Sequence, residues 1–246
     1  ALASVELQDG RIGAALDQAK SLQQDFPNLP LGYRIEGEIY LAQKRPSEAV
    51  RALQTAYEKE KTSTIATRLA QAYAADNKRS QAIDVLIDWL EQQPDDQGAR
   101  SMLAMQYQID GRDKEAIQAY ELLRDGLQDN VVVLNNLAWL YHKNGDPRAL
   151  DVARRAYELD PNRPEIADTY GWILVEQGQA QDGLSILQQA YLSYPTQTEI
   201  GYHVAVALHQ SGRDDEAVNV LRRLLRETPN FEQASEAKAL LQKIDK

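Results

Sequence analysis

The 246 residues contain no cysteine, only two Phe and two Met, and no apolar run near the ~20 residues that a membrane-spanning helix needs. Without cysteine there are no disulfides, no thiolate metal ligands and no thiol nucleophile. Cysteine usage leaves the compartment open, because cytosolic and exported chains can both lack it. Positive charge is also scarce: 27 Lys and Arg stand against 37 Asp and Glu, a net of −10. Phosphate binding needs a basic stripe and none is present, which argues against a nucleic-acid partner. The most acidic stretch, residues 151–200, has Arg154, Arg155 and Arg163 as its only basic residues. Catalytic signatures are missing as well: there is no nucleophile elbow, phosphate loop, dinucleotide fingerprint or His-Glu-x-x-His. The chain reads as a non-enzyme without a cofactor. It opens at Ala1 without Met, which reads as a fragment or mature product, so a missing targeting segment carries little weight.

What the chain does have is a period. A small residue opens an apolar run at Ala15, Ala49, Ala82, Ala116, Ala149, Gly183 and Ala217, in steps of 33 or 34. About a dozen residues earlier comes Leu69-Ala70-x-x-Tyr73, then Leu103-Ala104-x-x-Tyr107, Leu137-Ala138-x-x-Tyr141 and Tyr170-Gly171-x-x-Leu174. Pro27, Pro94, Pro161, Pro195 and Pro229 close units. Such self-similarity marks a stack of supersecondary units. Each unit reads as two helices, with apolar residues at helical spacing on both sides of a polar turn. The turn holds Asn77, Gly111, Gly145, Gly178 or Gly212, supplying the left-handed residue that ends a helix. Proline, lacking an amide donor, stops the second helix. The small residues let two helix backbones approach, and no unit buries its apolar face alone.

These residues resemble the tetratricopeptide repeat (TPR). The resemblance implies an all-α, right-handed superhelical solenoid of helix-turn-helix repeats. Six full repeats are expected at 30–62, 63–96, 97–130, 131–163, 164–197 and 198–230. A truncated repeat at 1–29 precedes them, and a capping helix at 231–246 follows. Departures are Lys61 and Gln128 where the closing Pro belongs, and a fourth repeat one residue short, where Pro147 is expected to tighten a helix start.

In this family the first helices line a concave groove. The signature then points Glu38, Gln71, Met105, Trp139, Trp172 and Val206 inward, a ladder that turns from polar to aromatic. One turn upstream lie Arg34, Thr67, Ser101, Asn135, Asp168 and Tyr202; one turn downstream lie His142 and His209. Asn135, Trp139, His142, Asp168, Trp172, Glu176, Tyr202 and His209 form the candidate partner-binding groove. Trp and Tyr bury much area at little entropy cost and dominate binding hot spots. The alternative is that the tryptophans only pack between repeats. Glu165, Asp168 and Glu176 form an acidic patch suited to a basic ligand segment. Asp95-Asp96 and Asp214-Asp215-Glu216 read as helix-start residues that cap amides. No metal site is expected. His203 and His209 are six residues apart, which does not place both on one helix face, so the histidines read as groove-lining or solvated. Some TPR domains grip a chaperone C-terminus with clustered inward Lys, Arg and Asn; Arg34 and Lys143 are too far apart here.

Leu134–Gln179 is similar to a narrower group, bacterial TPR lipoproteins of exosortase (PEP-CTERM) sorting and exopolysaccharide systems. That resemblance implies a longer N-terminus with a lipidated Cys and a periplasmic or envelope location, with the cytoplasm as the alternative. The leading functional reading is a non-catalytic protein-interaction scaffold holding a protein or peptide segment. The competing one is an adaptor stacking a polysaccharide on Trp139, Trp172 and Tyr202. A homodimer is a third expectation, through an apolar face at Val5, Leu7, Ala15 and Ala19 left open by the truncated first repeat.

Overall fold

The structure is a computed structural model and describes residues 12–126 and 129–245. Among these residues every regular element is an α-helix. Helix α1 is Ile12–Asp25, and the pairs that follow are α2 (Leu31–Ala42) with α3 (Pro46–Lys59) and α4 (Ser63–Ala75) with α5 (Arg79–Gln92). Next come α6 (Gln97–Ile109) with α7 (Asp113–Gly126) and α8 (Val131–Lys143) with α9 (Ala149–Leu159). The series ends with α10 (Pro164–Glu176) and α11 (Ala180–Ser193), α12 (Thr198–Gln210) and α13 (Asp214–Glu227), and a last helix, α14 (Ala234–Ile244). The chain divides into two compact units, Ala1–Leu123 and Arg124–Lys246.

Local chemistry accounts for the helix ends. Thr62, Asp96 and Asn130 cap α4, α6 and α8, their side-chain oxygens accepting from Ile65, Ala99 and both Val132 and Val133 amides. Pro164 takes the first position of α10, where its missing N–H costs nothing. The turn residues adopt the left-handed conformation at Asn77, Gly111, Gly145, Gly178 and Gly212, with φ between 58° and 81°. The following residue donates its amide back to a carbonyl five positions earlier, as Lys78 does to Tyr73 (2.8 Å) and Gln179 to Leu174 (2.9 Å). This bond satisfies a carbonyl that the helix end would otherwise orphan. The first repeat makes the same turn with Lys44 (φ 57°), although neither Gly nor Asn announces it. An arginine just past three of these turns covers the signature tyrosine: Arg45 on Tyr40, Arg112 on Tyr107 and Arg148 on Tyr141, at 4.1–4.7 Å. Each such contact contributes on the order of 0.5–1 kcal/mol.

Helices α1, α5, α9, α11 and α13 each end two residues before their proline. Gln128 lies outside the described residues. Helix α9 has 11 residues where α11 and α13 have 14. Pro147 and Arg148 sit in a turn there, held by the Arg148 amide donating to Asp146 Oδ1 at 2.9 Å. Of the apolar face expected to lie open at the first repeat, Val5 and Leu7 fall outside the described residues. Ala15 and Ala19 are fully buried with Ile39, so that part of the expectation is corrected: α2 packs over them. At the other end Phe231, Ala234, Ala237 and Ile244 join one core with α10 to α13, as a capping helix requires.

The small-residue series is the contact that sets the helix pairing. Ala49, Ala82, Ala116 and Ala217 are wholly buried. In the fifth repeat both partners are glycine: a Cβ on Gly183 would lie 2.5 Å from the Gly171 carbonyl oxygen and 2.7 Å from Val175 Cγ2. Gly183→Ala gains roughly 1 kcal/mol of helix propensity but incurs about 1–3 kcal/mol of overpacking. We expect its unfolding midpoint to fall. Gly13→Ala, where no described residue lies within 4 Å, should hold or raise it. Equal shifts of the two variants in thermal denaturation would remove the close-approach argument.

Candidate functional site: an acidic, tryptophan-lined cavity

Helices α8, α10 and α12 are the first members of three successive pairs within the second unit, and α10 packs against both α8 and α12. Between them lies a cavity of about 140 Å³ lined by Asn135, Trp139, Pro164, Glu165, Asp168, Thr169, Trp172, Gln197, Glu199 and Ile200. Four of the eight groove residues expected from the sequence, Asn135, Trp139, Asp168 and Trp172, meet there. The other four lie outside its lining. His142 tilts against Trp139, ring centroids 5.9 Å apart. Tyr202 packs on the core and beside His203. Glu176 ends α10. His209 is held by Asp214, Nδ1 to Oδ1 2.6 Å, across the turn into α13.

The centre of the site is a pair the spacing did not reveal. His203 is buried rather than solvated, its Nδ1 2.7 Å from Asp168 Oδ1, and its ring stacks on Trp172 with centroids 4.1 Å apart and planes 18° from parallel. Asp168 on α10 and His203 on α12 thereby tie two repeats together beneath the cavity. Trp172 packs on the core and also lines the hollow. Glu199, one turn before His203 on the same helix, completes a group in which Asp168, Glu199 and His203 present ligand atoms within 4.8 Å of one another. These three could hold a metal ion, a set that the His–His spacing alone did not suggest. The legible signal was the Glu199-x-x-x-His203 spacing, which places both on one helix face.

The electrostatics are one-sided. Among the described residues no Lys or Arg lines the cavity. Glu165 has Arg163 at 3.4 Å, but Glu199 has no ion-pair partner among the described residues. Partial burial, then the Asp168 charge, raises the Glu199 carboxyl above its ordinary value, with His203 opposing and Glu232 adding to the rise. Burial lowers His142 against an opposing pull from Glu176, and burial first, then Glu236 and Glu176, raises Tyr202. A larger hollow of about 510 Å³ in the first unit includes Glu38, Leu41, Arg68 and Gln71 in its lining. Its carboxylate is already met by Arg34 at 2.6 Å and Arg68 at 3.9 Å. The smaller, unbalanced cavity is therefore the better candidate.

Comparison with known proteins agrees with this architecture. A tetratricopeptide repeat profile matches residues 40–105 and 174–244, and a second matches residues 1–63. The chain belongs to the tetratricopeptide repeat family. It is similar to the TPR repeat-containing protein PA4667 of Pseudomonas aeruginosa, 29% identical over 199 residues, covering 77% of this chain. The chain spans about a third (32%) of that protein's length. Among solved structures it superposes on Pseudomonas aeruginosa pilF with TM-score 0.70 at 16% identity, over 91% of this chain and 98% of that one. YrrB, a TPR protein with an unusual peptide-binding site, gives 0.61 at 21% identity, over 77% and 99%. A TPR protein of Parabacteroides merdae gives 0.70 at 15%, over 99% and 96%. These likenesses show the fold.

Two variants test the electrostatic picture. A carboxyl raised in the folded state contributes stability below its unfolded value, ordinarily 4.5, and that contribution is lost as pH rises through the raised value. Glu199→Gln should therefore melt at or above wild type at pH 7, the gain closing as pH falls toward 4.5. His203→Ala strands Asp168 and opens space behind Trp172, an expected cost of about 2–4 kcal/mol in denaturant unfolding. A wild-type midpoint in His203→Ala would show that the pair holds nothing together.

Proposed function

We propose that this chain is a non-catalytic scaffold that binds a segment of a partner protein on the α8, α10 and α12 face. The carrying observation is the cavity itself. Two tryptophans and an unbalanced carboxylate from three adjacent repeats converge there. Aromatic side chains beside a small pocket are the usual form of a binding hot spot. The peptide-binding site described for YrrB supports the same use of the fold. A polysaccharide fits less well. His203 already takes a face of Trp172, and an acidic wall favours a cationic group over a neutral sugar. The wording of Leu134–Gln179 supports a finer reading, in which the scaffold serves a bacterial envelope sorting or exopolysaccharide export system and faces the periplasm.

Random-peptide display against the purified chain tests the main reading. Wild type is expected to enrich related segments that a folded Trp139→Ala/Trp172→Ala variant loses at least about tenfold, the scale of two hot-spot truncations. Segments that bind both proteins equally would move the binding face elsewhere.

A further inference from the structure

The unpartnered groups around the cavity define what it lacks. Glu199, which is exposed, has no Lys or Arg ion-pair partner among the described residues, and it sits beside a second carboxylate, Asp168, that is buried. Asn135, also in the lining, has an Oδ1 shielded from solvent and without a hydrogen-bond partner among the described residues. Trp139 and Trp172 add indole rings, whose faces are electron-rich. Acceptors, negative charge and π faces are all present, and what would satisfy them together is a positively charged donor. Partial burial, then the Asp168 charge, raises the Glu199 carboxyl above its ordinary value.

We propose that this cavity is a cation subsite that takes one arginine side chain of the bound partner segment. The proposal rests on the scaffold reading and names the chemistry of its ligand. About 140 Å³ accommodates one side-chain head rather than a whole peptide turn. A guanidinium is flat, stacks on indole and forks onto carboxylates, so it can use ring and acceptor at once. An ammonium is a strongly hydrated point charge and makes less use of the rings. A metal ion is the competing cation, since Asp168, Glu199 and His203 are close enough to share one. To gain both Asp168 Oδ1 and His203 Nδ1 it would have to break their 2.7 Å hydrogen bond, whereas a guanidinium needs only the groups left over.

The test titrates the whole chain with a blocked glycine pentapeptide bearing a central arginine, and with its neutral citrulline counterpart. The readout is the indole N–H resonances of Trp139 and Trp172, assigned through Trp139→Phe and Trp172→Phe. The arginine peptide should shift both resonances and bind about tenfold more tightly than the citrulline peptide, as a charge-assisted contact requires. Glu199→Gln should erase most of that difference. Equal responses to the two peptides, no shift up to millimolar peptide, or an unaltered arginine preference in Glu199→Gln each overturn the proposal. So does a response of both indoles to micromolar zinc or manganese chloride with none to the peptide, which would make the site a metal centre. Display-selected segments that need the tryptophans yet carry no basic residue would sink the arginine assignment alone. A lack of any tryptophan-dependent segment would sink the scaffold reading beneath it.

Discussion

The close approach of two helix backbones at one small residue per repeat is the constraint on which everything else depends. An α-helix buries one stripe, and a 34-residue helix pair has too little apolar area to fold alone. Where Ala49, Ala82 and Ala217 sit at zero exposure, the pair closes to backbone contact and its remaining apolar stripe is offered to the next pair. In the fifth repeat the requirement is stricter, with Gly171 and Gly183 in direct opposition. That tight spot lies within the helices that carry Asp168 and Trp172. The approach between α10 and α11 thus fixes the floor on which the cavity is built.

The site arises from register. Because equivalent positions recur every 33 or 34 residues, Trp139 and Trp172 occupy the same place on adjacent helices and meet in one hollow. The Asp168–His203 bond then joins α10 to α12 and sets the orientation of the Trp172 ring by stacking. Two effects compete there. Placing carboxylates beside one another is unfavourable, and His203 hydrogen-bonds only Asp168. Glu199 is exposed, which keeps its cost tolerable, so the imbalance persists in the folded protein.

The architecture was legible in the sequence because its determinants are local and repeated: the turn residue, the small residue, the closing proline. Lys44 shows the limit of that reading. A lysine adopts the left-handed turn because the surrounding repeat over-determines it, not because its own preference does so. Half of the candidate site was legible, namely the residues fixed by helical phase on α8 and α10. His142 and His209 share that phase, yet local partners, Trp139 and Asp214, claim them. Of His203 and Glu199 only their shared helix face was legible, from the i, i+4 spacing. Their role depends on a contact 35 residues away in sequence, and a spacing rule applied within one helix is blind to it.

The position of the Asp168–His203 pair has a consequence for cooperativity. Helices in such a stack contact only near neighbours, so the terminal elements can open locally at a free energy below that of global unfolding. Opening α12 to α14 would carry away Glu199 and His203 while leaving Trp139 on α8. The cavity exists only while the C-terminal end of the stack is closed. Any ligand that spans α8, α10 and α12 then acts as a clasp: its binding free energy adds to the closed state, and slower amide exchange should reach down to α14, which it never touches.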